Sequence, residues 1–104
     1  MGQKTDHFAN LPWSVQTVLD LSINKVHPKK ILLFGSRARN NARENSDYDI
    51  AFEIDDQFDS EWVDFLVDVD DKVYSLLPMD LINIKDLSGE YLMNLQKEGI
   101  VLYE

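Results

Sequence analysis

Asp47 and Asp49 stand two residues apart in the run Ser46-Asp47-Tyr48-Asp49-Ile50. From Asp49 onward, Asp-Ile-Ala-Phe-Glu-Ile alternates polar and apolar residues. That is the pattern of a half-buried strand, in which positions i and i+2 share a face. The two carboxylates are therefore expected side by side. Ionised carboxylates so close repel each other, and a divalent cation removes that cost. Hard oxygen donors suit Mg²⁺ carried by a phosphate-bearing substrate, so the pair points to phosphoryl or nucleotidyl transfer. A further carboxylate, Asp80, lies in Pro78-Met79-Asp80-Leu81-Ile82-Asn83-Ile84. A proline at the entry and alternation around 80, 82 and 84 predict a strand over 79–84. Beside the first pair, Asp80 would complete a group able to hold one or two metal ions and help deprotonate an attacking hydroxyl.

The phosphate half of such a site is expected upstream. Ile31-Leu32-Leu33-Phe34 is a short apolar run that ends at Gly35, and 36–43 reads as a helix carrying Arg37, Arg39 and Arg43. Glycine lets backbone approach a ligand with no Cβ in the way. The amides at a helix start and the Ser36 hydroxyl can donate to phosphate oxygens. Arg37 or Arg39 can add a guanidinium fork. The two arginines do not face the same way, and Arg39 is the preferred phosphate partner. Ser46 is read as a residue that caps or orients the loop before Asp47.

The elements that must position these residues follow from periodicity. Pro12 fits a helix start, and Val15, Val18, Leu19, Ser22 and Val26 recur at helical spacing until His27-Pro28 ends the pattern. Strands are expected over 30–34 and 48–54. Trp62, Phe65, Leu66, Val69, Val73 and Leu76 make the longest helical stripe, with Asp59 or Ser60 as N-cap, and should cover the sheet. Tyr91, Leu92 and Leu95 suggest a last helix stopped at Gly99, with a short strand over 100–103. Trp13, Trp62, Phe65 and Tyr74 are assigned to the core, and His7 and His27 to the surface. Residues 1–10 read as a loose lead-in. The expected architecture is α/β, a small mixed sheet flanked by helices, with 1–104 as a single domain.

Composition narrows the function classes. A chain of 104 residues suits one small core, not a catalytic domain plus a separate acceptor-binding domain. The acceptor surface is therefore expected from a partner or a second copy. The formal net charge of -9 opposes binding to bulk nucleic acid. Lys25, Lys29, Lys30, Arg37, Arg39 and Arg43 are expected to gather around the phosphate turn, a local positive site suited to a nucleoside triphosphate. The carboxylates of 55–71 are read as solvation first and partner docking second. With no cysteine, disulfides and thiolate chemistry are excluded. No apolar leader and no span of membrane length are present, which makes the cytoplasm the expected compartment.

Together, Phe34-Gly35-Ser36-Arg37-Ala38-Arg39, Ser46-Asp47-Tyr48-Asp49-Ile50 and Asp80 resemble the signature of the DNA polymerase beta type of nucleotidyltransferase. The fuller string resembles its smallest branch, the minimal nucleotidyltransferase antitoxins paired with HEPN-domain RNase toxins. The resemblance spans about 12–103. It implies an enzyme that moves AMP from ATP to a hydroxyl, a tyrosine by expectation, on a cognate HEPN toxin, with two Mg²⁺ ions in the active complex. Asp47 and Asp49 would bind metal, Asp80 would complete the metal site or assist deprotonation, and Gly35 and Ser36 would hold the triphosphate. The sequence leaves two other functions open. One is an antitoxin that neutralises its toxin by occlusion alone; the other is a nucleotidyltransferase acting on a small molecule or an RNA end.

Overall fold

A computed structural model describes residues 2–43, 46–72 and 78–104. Its centre is a four-stranded sheet in the order β3-β2-β1-β4. Strand β1 (Lys30–Phe34) pairs antiparallel with both β2 (Tyr48–Glu53) and β4 (Ile100–Tyr103). Strand β3 (Met79–Asn83) pairs parallel with β2. The parallel pair requires a crossover, and helix α3 (Asp59–Lys72) supplies most of it. The sheet is mixed and carries helices on both faces, in line with the expected small mixed sheet flanked by helices.

Alternation along β1 and β2 separates two apolar layers. Ile31, Leu33, Tyr48, Ile50 and Phe52 face helix α2 (Trp13–Val26) and α3, where they pack with Val15, Val18, Leu19, Trp62 and Phe65. Phe52, Trp62 and Phe65 form an aromatic cluster with ring centroids 5.2 to 5.8 Å apart. Phe34 and Ala51 point to the other face and pack with Leu95 of helix α4 (Gly89–Glu98). Helix α2 begins after Pro12 and ends at His27, which takes the left-handed conformation at φ 47°. Pro28 then cannot continue the helix.

Four sequence expectations change. The helix expected over 36–43 is a single tight turn, Gly35–Arg37, followed by a bend that ends at Asn40 with φ 60°. The left-handed residue breaks the helical path, and asparagine tolerates that conformation. Trp13, assigned to the core, is 79% exposed, because it is the first residue of α2 and lies off the Val15, Val18, Leu19 stripe. Residues 2–10 are not loose. Gln3 and Glu104 exchange backbone hydrogen bonds of 2.7 and 3.1 Å, Thr5 N–H donates to the Leu102 carbonyl, and a short helix, α1 (Asp6–Ala9), buries Phe8. The expected gathering of cations at the phosphate turn is the fourth change. Lys25, Lys29 and Lys30 lie at the opposite end of β1 from Gly35 and pair with Asp68, Asp55 and Glu104. Val73, Tyr74 and Leu76 lie outside the described residues. Among those described, no helix is long and apolar enough to cross a membrane.

Candidate functional site

Strand register brings the acids together. On β2, Asp49 lies opposite Phe34 of β1 on one side and Asp80 of β3 on the other. Adjacent strands are about 4.8 Å apart, so Asp49 and Asp80 are lateral neighbours on the α4 face. Asp47 is exposed and sits just before β2. The Asp49 carboxyl is held above its usual range by partial burial first, then by the charge of Asp80 and then of Asp47, with Arg39 opposing. That ordering ties all three carboxylates to one electrostatic unit.

The turn after β1 closes over this unit. Gly35 has φ 74°, and a Cβ built on it would overlap Asp49 Oδ2 and lie 3.1 Å from Asp49 Cγ. Glycine meets both demands, the left-handed backbone and the space beside the Asp49 carboxylate as it stands. The N–H groups of Ala38 and Arg39 both donate to the Gly35 carbonyl at 3.1 Å. The expected row of amides at a long helix start is thereby reduced to one turn beginning at Gly35 and Ser36.

The two arginines differ in use. Arg37 Nε and one terminal nitrogen donate to the Ser46 carbonyl at 3.3 and 3.1 Å, and its guanidinium lies 4.4 Å from the centre of the Tyr48 ring. Ser46 Oγ accepts from the Arg43 N–H at 2.8 Å. Arg37 and Ser46 thus brace the segment that leads into Asp47. Arg39 instead lies on the acid side, where it opposes the upward shift of Asp49, and donates to Glu98 Oε2 at 2.9 Å. Sequence reading missed Glu98, since nothing in the pattern of α4 pairs it with a residue so far away in the chain. Tyr48 was also missed, although its position between the two aspartates is a signal.

Among the described residues, no group of three or more acids or histidines is already drawn together into a cation site. The donor set nevertheless fits Mg²⁺. That ion is commonly held by one or two carboxylates plus substrate phosphates rather than by an all-protein cage. Mutually repelling carboxylates beside a turn kept open by glycine are chemistry that such an ion, bound with a nucleotide, would relieve.

The family profile described as Polymerase beta, Nucleotidyltransferase matches residues 16–104. No curated protein matches at a significant level. Among solved structures, a crystal structure of a toxin-antitoxin with AMP-PNP superposes at a TM-score of 0.56 with 22% identity, covering 81% of this chain and 68% of that one. A mutant of the MntA-HpeT toxin-antitoxin superposes at 0.53 with 20% identity, covering 82% and 68%. At these identities the structural likeness shows the shared fold.

Proposed function

The chain belongs to the polymerase beta nucleotidyltransferase family, and from that premise we propose that it is an antitoxin that transfers AMP from ATP to a hydroxyl, a tyrosine in the first instance, of a cognate HEPN RNase toxin. One observation carries the reading: Asp49 and Asp80 are cross-strand neighbours beside a turn whose glycine lies directly against the Asp49 carboxylate. Two of its structural neighbours are toxin-antitoxin crystal structures, one with a nonhydrolysable ATP analogue, which supports both the nucleotide and the kind of partner.

In this mechanism Gly35 and Ser36 hold the triphosphate against the end of β1, and Arg39 adds donors to it. Asp47 and Asp49 would hold Mg²⁺, with Asp80 completing the site or taking up the acceptor's proton. Such an ion, when bound, would supply charge neutralisation at the phosphates. The acceptor oxygen bonds to the α-phosphorus, the bond from that phosphorus to the bridging oxygen breaks, and pyrophosphate leaves with the electron pair. Most of the rate comes from alignment of hydroxyl and phosphate. Arg37 contributes by holding the segment before Asp47, through Ser46 and Tyr48. A covalent AMP adds charge and bulk near an RNase site that must bind phosphate, so the modified toxin is expected to stay inactive.

The test is co-expression of the chain with its neighbouring-gene partner, removal of the antitoxin, and intact-mass measurement of the partner. A gain of one AMP residue with lasting loss of RNase activity is expected. An unmodified partner that regains activity once the antitoxin is removed would instead indicate a binder that acts by occlusion.

A further inference from the structure

Glu98 is the last residue of α4, a place where an acid is unfavourable because the helix macrodipole is negative there. Asp49 and Asp80 lie on the sheet face that α4 covers, with Phe34 opposite Asp49, and Arg39, four residues after Gly35, reaches across to Glu98. A carboxylate at a helix C-terminus near an acidic site raises local repulsion unless a cation offsets it. Here the offset is the Arg39 contact of 2.9 Å, made through a single terminal nitrogen.

We infer that Glu98 is a positioning residue for nucleotide binding: it holds Arg39 at the mouth of the acid site, so that the rest of the guanidinium is presented to the phosphates. The inference rests on the nucleotidyltransferase reading above. An arginine has five N–H donors in a fixed fork, so one bond to Glu98 leaves the others able to meet phosphate oxygens. The turn alone does not fix this orientation, because Arg39 follows a turn of only three residues and precedes the left-handed Asn40. Without Glu98 the side chain regains its rotamer freedom and its charge is drawn toward Asp49. Because α4 also packs Leu95 against Phe34 and Ala51, the arginine is tied to the layer that underlies the acids.

The test compares the parent, Glu98→Ala, Arg39→Ala and the double variant, measuring affinity for a nonhydrolysable ATP analogue with Mg²⁺ by calorimetry, and KM and kcat for transfer. Glu98→Ala should weaken analogue binding and raise KM by roughly two- to fivefold, the range expected of a partly exposed ion pair, with kcat and melting temperature little changed. In the Arg39→Ala background the same change should add nothing. Glu98→Asp should lie between parent and Glu98→Ala. Unchanged or tighter analogue binding in Glu98→Ala, or full additivity with Arg39→Ala, would overturn the assignment. A parent that binds no analogue would overturn the nucleotide reading itself, and this inference with it.

Discussion

Replacing Gly35 with alanine separates the structural demand at the turn from its chemical one. Gly35 has φ 74° and Gly89 has φ 59°, but a Cβ at Gly89 would meet nothing within 4 Å. The second glycine therefore reports the backbone cost alone. Alanine in the left-handed region costs about 1–2 kcal/mol, and the smaller entropy of the unfolded chain returns about 0.4–1 kcal/mol. The net loss is about 1 kcal/mol, which for a domain of this size lowers the melting temperature by about 4–8 °C. At Gly35 the added methyl also meets the Asp49 carboxylate. That carboxylate is the free end of a side chain and can rotate away, so Gly35→Ala and Gly89→Ala should melt at similar temperatures. Function should divide them, because the rotated carboxylate leaves its alignment with Asp80. A displacement of the order of 1 Å costs about a hundredfold in rate. Thermal melts paired with the rate of AMP transfer to the partner test this directly. Equal transfer rates for the two folded variants would refute the placement of Gly35 and Asp49 in the site.

The raised Asp49 carboxyl means that the folded chain holds a proton the unfolded chain releases, so its contribution to stability falls as pH rises from the usual value of 3.8 through the higher folded value. In chelator, Asp49→Asn should therefore be as stable as the parent at low pH and gain on it toward neutral pH; a difference that stays constant in urea melts across that range would show that neither burial nor the neighbouring carboxylates raise the Asp49 carboxyl. Asp80→Asn should cut transfer severely while leaving the exposed strand position folded, and near-normal turnover in a rate assay would remove Asp80 from the site. Phe65, fully buried against Phe52 and Trp62, should cost about 3–5 kcal/mol as Phe65→Ala, read from the same melts; a loss under 1 kcal/mol would contradict the packing described for the α3 face.

Strands were the most legible part of the sequence. Each of β1 to β4 matches its expected segment to within a residue, because a period of two leaves little freedom over short apolar runs. The register of Asp49 against Asp80 follows from tertiary pairing, which local pattern cannot supply. The segment after Gly35 misled for a physical reason. Arg37, Ala38, Arg39 and Arg43 are good helix formers, but Asn40 turns left-handed and ends the helical path after the turn Gly35–Arg37. The lysines misled because closeness in sequence to Gly35 is not closeness in space: a strand separates Lys30 from the turn. Trp13 shows the limit of hydrophobicity as a sign of burial, since at the first position of α2 its side chain has no layer to enter. The Arg39–Glu98 contact joins residues 59 apart in the chain, and no sequence spacing announces it.

The central claim is that Asp47 and Asp49, with Asp80, form a site for nucleotidyl transfer. The most direct measurement follows the fate of the phosphates, using ATP labelled at either the α or the γ position, with Mg²⁺, the chain and its partner. The α-label is expected to become fixed to the partner and the γ-label to leave in pyrophosphate, and both events should vanish in a folded Asp47→Asn, Asp49→Asn double variant. Transfer of the γ-label to the partner, or α-label transfer that persists undiminished in the double variant, would contradict it.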